Sequence, residues 1–314
     1  MAALADKRFK LNTGAEIPAL GLGTWQSSSE ETQKAVYHAI EVGYRHIDTA
    51  LAYQNEEDVG KGIKAAIDAG LVKREDLFVT TKLWNIYANR VEEGLDTSLK
   101  SLGLDYVDLY LVHWPVRMND KGNHPLFPKF PDGTRDMIKS HNHVDTWKAM
   151  EKLPATGKVK AVGVSNYSVP YLEKLLSEAT IVPAVNQIEN HPQLPQQEIV
   201  DFSQSKGILV TAYSPLGSTG SPLLSAEPIV AISKKRNVTP AAVLLSWHFA
   251  RGSAVLAKSI NPDRITANRN SLVELDAEDV ALIKSFSDDL KAKGQTKRYV
   301  APPFGIDMGF PDQW

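Results

Sequence analysis

The sequence predicts an α/β fold: a (β/α)₈ barrel with an N-terminal β-hairpin and long loops over one rim. Eight short apolar segments are each followed by a segment with apolar residues at helical spacing. These strands lack polar alternation, which favours a parallel sheet covered on both faces. An open doubly wound sheet is the alternative, but residues 21–26, GLGTWQ, lack the third glycine of a dinucleotide-binding fingerprint.

The individual elements follow from local patterns along the chain. Residues 12–14, Asn-Thr-Gly, tolerate positive φ and lie between two short strands, which predicts the hairpin. Ser28 and Glu31 form a capping-box pattern that begins the first helix. The predicted barrel strands cover residues 19–23, 44–48, 77–84, 107–114, 159–166, 183–189, 208–214 and 254–259. The predicted helices cover residues 28–43, 56–69, 89–103, 144–157, 169–179, 195–207 and 240–252.

Three segments depart from this alternation. Residues 116–143 are rich in proline, glycine and charge, and residues 217–228 are a second irregular stretch. The tail after Asp288 has no clear periodicity. Long irregular loops in a barrel usually lie over the C-terminal ends of the strands and carry function. We therefore expect these loops to lie over the rim that carries the site.

Composition narrows the classes of partner. The chain has 314 residues, 43% hydrophobic and 23% charged, and we expect residues 1–314 to form a single domain. With 35 basic and 37 acidic residues spread along the sequence, no basic stripe indicates nucleic acid, so a small-molecule partner is expected. The absence of cysteine excludes disulfides and thiolate catalysis. No signal core or membrane-length apolar run is found, which favours a cytoplasmic protein away from membranes.

A polar residue ends each predicted barrel strand. In chain order these residues are Thr24, Asp48, Lys82, His113, Ser165 with Asn166, Gln187, Tyr213, and Lys258 with Ser259. Each one alone has an ordinary structural explanation, such as a turn cap or an exposed strand end. In a (β/α)₈ barrel, however, all of them share the rim on which catalytic groups are built.

Three of these residues, Asp48, Lys82 and His113, together with the nearby Tyr53, suit proton donation to a carbonyl oxygen. A free tyrosine, with a pKa of about 10, keeps its proton at neutral pH but is a slow acid. The ammonium of Lys82 is expected to lower the pKa of Tyr53, while Asp48 keeps Lys82 charged and does not touch the substrate. A neutral His113 would orient the carbonyl. None of these groups is a hydride source, so a cofactor must supply the hydride.

The remaining rim residues suit a nucleotide. Ser165, Asn166 and Gln187 are uncharged donors and acceptors suited to a carboxamide, and Tyr213 offers a flat face to a nicotinamide ring. Residues 258–264, KSINPDR, carry two cations and a hydroxyl that suit a phosphate, more so if a helix begins near Pro262. A solvated loop with incidental charge is the alternative for that segment.

With these residues assembled, the chain resembles the aldo-keto reductase superfamily along nearly its whole length. The matching motifs are GLGTW, GYRHIDTALAYQNEEDVGKGI, TTKLW, LGLDYVDLYLVHWP, GKVKAVGVSNYS, NQIENHP, TAYSPLGS and a KS-x₄-R-x₃-N run from Lys258 to Asn268. The resemblance implies an NADPH-dependent barrel reductase with a catalytic tetrad of Asp48, Tyr53, Lys82 and His113. Ala267 stands where many relatives have an acidic residue or glutamine, and residues 116–143 and the tail match the aldose-reductase type poorly.

The resemblance also implies the residues around each ligand. The implied cofactor contacts are Gly23, Thr24, Trp25, Asp48, Ser165, Asn166, Gln187, Tyr213, Ser214, Leu216, Ser218, Lys258, Ser259, Arg264 and Asn268. Lys258, Ser259, Arg264 and Asn268 would surround the 2′-phosphate, and Tyr213 would stack on the nicotinamide. The substrate wall would consist of Trp25, Tyr53, Trp84, His113 and Trp114, with loop contacts from Phe127 or Phe130.

The implied substrates are small aldehydes. The motifs look most similar to those of fungal glycerol dehydrogenases and aldehyde reductases, which suggests glyceraldehyde or the glycerol and dihydroxyacetone pair. A cofactor-binding regulatory subunit without turnover is the alternative. A metal-dependent hydrolase is a third, but the first strand has no His-x-His and the rim has one histidine, so we expect no metal. We expect a monomer.

Overall fold

Eight parallel strands close into a barrel in the computed structural model, which describes residues 4–218 and 221–311. The barrel strands are β3 (Leu20–Gly23), β4 (His46–Asp48), β5 (Phe78–Leu83), β6 (Val107–Val112), β7 (Val159–Ser165), β8 (Val185–Glu189), β9 (Leu209–Tyr213) and β10 (Ala254–Lys258). Each pairs with its neighbours in chain order, and β10 pairs with β3, with Leu20 opposite Val255. The predicted (β/α)₈ barrel is confirmed.

A two-stranded hairpin precedes the barrel, as predicted. β1 (Arg8–Lys10) pairs antiparallel with β2 (Glu16–Pro18), and Gly14 in the turn has a φ of +87°. Ile17 is fully buried and packs with Leu11 against the barrel residues Leu109 and Leu111. The hairpin therefore covers the N-terminal end of the barrel and leaves the opposite rim open for a site.

Helices surround the barrel. They are α1 (Ser29–Glu41), α2 (Glu56–Asp68), α3 (Val91–Leu102), α4 (His143–Met150), α5 (Val169–Leu176), α6 (Gln197–Ser205), α7 (Glu227–Arg236), α8 (Pro240–Ala250), α9 (Pro262–Asn270) and α10 (Ala277–Ala292). The predicted capping box of α1 is present, with the Glu31 carboxylate accepting the Ser28 backbone N–H at 3.4 Å. Buried apolar side chains between helices and strands, such as Val36, Ile63 and Leu95, form the main core.

Two helices were absent from the sequence prediction. α7 and a short 3₁₀ helix, Pro222–Ser225, begin within the stretch predicted to be irregular, in which residues 219–220 lie outside the described part. α10 continues to Ala292, so the first residues of the supposedly aperiodic tail are helical. From residue 295 to residue 311 the described tail has neither helix nor strand.

The long segment before α4 is folded back on itself. No helix or regular strand forms in residues 116–142, as predicted, but two antiparallel bridges join Met118 to Met137 and Lys129 to Arg135. The Trp84 Nε1–H donates to the Leu126 carbonyl at 2.6 Å, which fixes this segment, hereafter loop A (residues 116–142), to the rim just after β5.

Candidate active site

Asp48, Lys82 and Tyr53 form one hydrogen-bonded group at the C-terminal rim. Asp48 ends β4, Lys82 is the last residue but one of β5, and Tyr53 ends a 3₁₀ turn just after β4. Lys82 Nζ donates to Asp48 Oδ1 at 2.6 Å, to the Thr49 carbonyl at 2.9 Å and to the Tyr53 hydroxyl oxygen at 3.1 Å. Asp48 and Lys82 are 2% and 0% exposed, so this ion pair is screened from water.

Both carboxylate oxygens of Asp48 have protein partners. Lys82 Nζ donates to Oδ1, and the Gln187 Nε2–H from β8 donates to Oδ2 at 2.8 Å. The Thr24 hydroxyl donates to the Asp48 backbone carbonyl at 3.0 Å. A carboxylate held in this way can orient a lysine, and the arrangement agrees with the expectation that Asp48 acts through Lys82.

The protonation states of Lys82 and Tyr53 follow from their surroundings. Burial acts to lower the pKa of Lys82, but the Asp48 carboxylate and the Tyr53 hydroxyl raise it above its ordinary value. Burial raises the pKa of Tyr53 and outweighs the opposing effect of the Lys82 ammonium. Lys82 thus acts on the pKa of Tyr53 in the expected direction, but burial has the larger effect and leaves that pKa above its ordinary value. Tyr53 holds its proton throughout the neutral range.

His113 faces the same group from the end of β6. Its ring makes an edge contact with Tyr53, with ring centroids 5.7 Å apart, and another with Trp84 at 5.4 Å. Burial, assisted by the Lys82 charge, holds the pKa of His113 well below its ordinary value, so the imidazole is neutral as expected. Within the described part of the chain, its Nδ1 is buried without a hydrogen-bond partner.

The uncharged rim residues form a network beside this group. The Asn166 Nδ2–H donates to the His113 carbonyl at 3.0 Å, and the Tyr213 hydroxyl donates to Asn166 Oδ1 at 2.8 Å. The Ser165 hydroxyl donates to the Gln187 carbonyl at 2.8 Å. Asn166 and Ser214 have φ values of +63° and +50°, left-handed conformations that are uncommon for such residues and often lie at functional sites.

The predicted phosphate residues lie at the end of β10 and the start of α9. Lys258 and Arg264 are exposed, and in residues 4–218 and 221–311 neither is within 4.0 Å of a carboxylate. α9 begins at Pro262, which meets the condition set for a phosphate site, and Asn261 Oδ1 accepts the Arg264 backbone N–H at 3.0 Å. Lys258 Nζ donates to the Gln26 carbonyl at 3.3 Å, and two cations without a carboxylate partner beside a helix N-terminus fit an anion. Ser259 and Asn268 are buried next to them.

The other predicted cofactor residues are spread along the same rim. Gly23 ends β3 opposite Lys258, and Trp25 lies two residues later and is 41% exposed. Leu216 is partly buried against the core, whereas Ser218 is exposed. All four follow barrel strands at their C-terminal ends, so the structure brings them to the expected side of the molecule.

An apolar wall stands over the tetrad. Trp84 and Trp114 are buried in it, and the tail contributes Phe304, whose ring centroid is 5.6 Å from that of Trp114. Phe127 of loop A packs edge-on against Trp84 at 5.4 Å. Of the two predicted loop contacts, Phe127 thus reaches the wall, while Phe130 is 47% exposed.

Comparison with known proteins decides the family. The sequence profile of the aldo/keto reductase family matches residues 19–288. This chain belongs to the aldo/keto reductase family. It is 62% identical to a D-galacturonate reductase of Hypocrea jecorina over 97% of this chain and 98% of that one. It is 52% identical to a glycerol 2-dehydrogenase (NADP(+)) of Saccharomyces cerevisiae over 96% and 97%.

A solved structure shows the same fold. The aldose reductase of Schistosoma japonicum superposes on this aldo/keto reductase with a TM-score of 0.89 at 36% identity, covering 98% of this chain and all of the other. Within the described residues, no cluster of three or more histidine, cysteine or carboxylate side chains could hold a metal ion. None of the helices described is long and apolar enough to cross a membrane.

Some functional contacts of this reductase could not be inferred from its sequence. The Thr49 carbonyl accepts from Lys82, but every residue has a carbonyl, so its type gives no signal. Asn55 donates to the Thr24 carbonyl at 2.8 Å and ties the turn that carries Tyr53 to the end of β3.

Proposed function

We propose that this aldo/keto reductase uses NADPH to reduce small polyhydroxy aldehydes, with Asp48, Tyr53, Lys82 and His113 as its tetrad. Family membership makes the chain an oxidoreductase. The observation that carries the tetrad is the position of Lys82 Nζ, 2.6 Å from Asp48 Oδ1 and 3.1 Å from the Tyr53 oxygen. The reaction is reversible, since the same groups return the proton in alcohol oxidation.

The hydrogen bonds donated by Lys82 determine which way the Tyr53 O–H points. An ammonium has three N–H groups and no acceptor, and Lys82 gives them to Asp48, Thr49 and Tyr53. The Tyr53 oxygen therefore accepts from Lys82, and its own proton points elsewhere. A substrate carbonyl oxygen placed between Tyr53 and neutral His113 would receive that proton, while the Lys82 charge stabilises the resulting phenolate.

The rim fits NADPH. Tyr213 and the network of Asn166, Ser165 and Gln187 would hold the nicotinamide end, and the unpaired cations Lys258 and Arg264 would hold the 2′-phosphate. A bound NADPH supplies the hydride that the carbonyl carbon needs. The relative named as an NADP(+) dehydrogenase uses the same chemistry, which supports this choice.

The names of two relatives support this class of substrate. One names D-galacturonate, which carries an aldehyde in its open form, and the other names glycerol, the alcohol of a three-carbon carbonyl compound; both are short chains bearing several hydroxyls. We infer that glyceraldehyde, the glycerol and dihydroxyacetone pair, and aldehydo sugars are the substrates to test. Beside the buried wall of Trp84, Trp114 and Phe304, His113 and Tyr53 are the tetrad groups that would bind the carbonyl of such a chain. The monomeric state stays a prediction.

Replacing Tyr53 with phenylalanine tests the proposal. Tyr53→Phe should lower kcat for glyceraldehyde about a hundredfold or more, because the acid is lost. NADPH binding, followed by fluorescence titration, should stay within about twofold of the wild type. Tyr106→Phe is the matched control: Tyr106 also lies beneath a lysine, with Lys160 Nζ 4.4 Å from its ring, but at the other end of β6.

The outcomes separate the candidate functions. Turnover by Tyr53→Phe close to that of the wild type would remove Tyr53 from the acid role. Tight NADPH binding by the wild type without oxidation of NADPH by any aldehyde would instead support the regulatory-subunit alternative.

A further inference from the structure

Loop A carries a groove next to the apolar wall. Asn123, His124, Phe127, Lys129 and Arg135 line it, and its volume is about 380 Å³. The bridge between Lys129 and Arg135 brings these two cations onto adjacent strands of the folded loop. Arg135 lies over the Phe127 ring, with its Cζ 5.3 Å from the ring centroid. The groove thus has an aromatic base and a charged margin.

The polar atoms of the groove are mainly donors. His124 Nδ1 accepts from the backbone N–H groups of Leu126 at 3.0 Å and Phe127 at 2.9 Å, so its remaining proton is on Nε2. Asn123 Oδ1 accepts the Lys129 backbone N–H at 2.9 Å, which leaves the amide NH₂ as a donor. Together with an ammonium and a guanidinium, these groups suit an anionic acceptor.

Both cations lack an acidic partner. In residues 4–218 and 221–311, neither Lys129 nor Arg135 has a carboxylate within 4.0 Å. One Arg135 N–H donates to the Phe127 carbonyl at 3.3 Å, and the other N–H groups of the guanidinium remain. The nearby Asp132 and Asp136 accept hydrogen bonds from Thr134 and Asn119 instead. Neither cation of the groove is therefore held in an ion pair within the described residues.

Phe127 joins the groove to the catalytic group. Its ring contacts Trp84, and Trp84 contacts His113, with ring centroids 5.4 Å apart at each step. An extended six-carbon chain spans roughly 6 Å between its end carbons, given C–C bonds of about 1.5 Å. A chain whose carbonyl is hydrogen-bonded to His113 would extend along Trp84 and Phe127 toward the two cations beside Phe127.

We propose that this groove binds the carboxylate of an aldehyde acid, a uronic acid in its open form, while its aldehyde lies between Tyr53 and His113. Arg135 and Lys129 supply the charge, and His124 and Asn123 complete the hydrogen bonds. The inference rests on the proposed reductase function and assigns it a class of substrate: polyhydroxy aldehydes with an acid at the far end.

A pair of sugars that differ only at that end tests the proposal. D-galacturonate carries a carboxylate where D-galactose carries a hydroxymethyl group. Arg135→Met should lower kcat/KM for D-galacturonate about tenfold or more through KM, because the substitution removes charge-assisted hydrogen bonds to the carboxylate. Activity on D-galactose and on glyceraldehyde should stay within about twofold. Lys129→Met should act in the same direction.

Lys139→Met is the control, since Lys139 is an exposed lysine on loop A outside the groove. Equal losses on D-galactose, no loss on D-galacturonate, or an equal effect of Lys139→Met would each overturn the proposal. Calorimetric titration of the NADP⁺-bound protein with D-galacturonate provides a second readout. If D-galacturonate binds in an Arg135-dependent manner but no aldehyde is reduced, the groove stands and the reductase function fails; absence of binding overturns the groove.

Discussion

At the scale of single residues, Lys82 is the group on which the site depends. It is a fully buried ammonium that donates to three oxygens, one of them charged. Removing one partner of a buried ion pair leaves the other charge uncompensated, at a cost of about 3–5 kcal/mol. Substitutions of Asp48 or Lys82 therefore confound stability with catalysis, whereas Tyr53→Phe removes only a hydroxyl.

Cofactor preference is also decided by single side chains. Replacing Lys258 or Arg264 with methionine should raise the Kd for NADPH about tenfold or more, because each removes a charged donor from the proposed 2′-phosphate site. The Kd for NADH should change by less than about threefold, since NADH lacks that phosphate. Fluorescence titration with both nucleotides measures the two effects on one protein sample. Equal losses for NADPH and NADH would contradict recognition of the 2′-phosphate.

The rim residues could be predicted from sequence because each follows a strand whose apolar run is easy to recognise. Asp48, Lys82 and His113 are examples, and the structure places all three at one end of the barrel. The net pKa direction of Tyr53 could not be predicted, because it depends on how burial competes with one neighbouring charge. The sequence shows that a lysine lies near Tyr53, but it does not show how deeply Tyr53 is buried.

At the scale of elements, one buried carboxylate is among the groups that hold the tail to the barrel. Glu189 ends β8, and its two oxygens accept the backbone N–H groups of Tyr299 and Val300 at 2.8 and 2.9 Å. His191 Nε2 lies 3.0 Å from the first of these oxygens. Because Phe304 follows shortly afterwards and packs on Trp114, this contact positions part of the apolar wall.

Glu189→Gln should loosen the tail. The amide has only one acceptor oxygen, so one of the two backbone N–H groups loses its partner, at about 1–3 kcal/mol. KM for aldehydes should rise about fivefold or more, while the Kd for NADPH stays within about twofold. Faster hydrogen exchange in residues 299–310 would accompany the change.

The matched control for the tail is Glu178→Gln. Glu178 is a surface carboxylate whose ion pair with Lys148, 2.7 Å long, is away from the tail. The Glu178→Gln substitution should leave KM for aldehydes and hydrogen exchange in residues 299–310 unchanged. If Glu189→Gln gave the same result, the wall would not depend on this contact.

The helices missed by the sequence prediction, α7 and α10, both have few buried residues and therefore a weak apolar periodicity. α7 buries only Ile229, Ile232 and Ser233, and it ends in three consecutive cations. In α10 only Asp279, Ile283 and Ser287 are buried. The short apolar stripes of α7 and α10 pack mainly on each other and on α8. Because neither helix belongs to the strand–helix repeat, the regular alternation of strands and helices did not predict them. By contrast, the first three barrel helices, α1, α2 and α3, each bury five or six residues.

At the scale of the whole molecule, the hairpin, the helices and the tail all pack on one barrel, and we infer that the chain folds as a single domain. Its core includes a buried acid. Glu56 of α2 accepts a hydrogen bond from the Thr81 hydroxyl at 2.5 Å, and its other oxygen is buried without a partner in the described residues. Burial raises the pKa of Glu56 from 4.5 to about 7.

This acid makes global stability depend on pH. The unfolded chain releases the Glu56 proton near its ordinary pKa, while the folded chain keeps it up to about pH 7. The stability contributed by this protonation is therefore fully present below the unfolded pKa and is lost as pH rises through about 7. Glu56→Gln, which is always neutral, should gain stability relative to the wild type at about pH 8, by up to about 3 kcal/mol.

Urea unfolding followed by tryptophan fluorescence, at about pH 5 and about pH 8, measures the difference in the free energy of unfolding between Glu56→Gln and the wild type. Glu57→Gln is the control, because Glu57 is the adjacent residue and its side chain is 73% exposed. A free-energy difference between Glu56→Gln and the wild type that is the same at both pH values would contradict the assigned direction.

The pairing of β3 with β10 has a consequence for biosynthesis. Leu20 lies opposite Val255, so the barrel closes only when nearly the whole chain has left the ribosome. Until then the nascent sheet has two open edges, which are templates for pairing with other chains. Closing over so long a sequence separation is also slow. The whole period before β10 is synthesised is thus one in which this protein needs protection from aggregation.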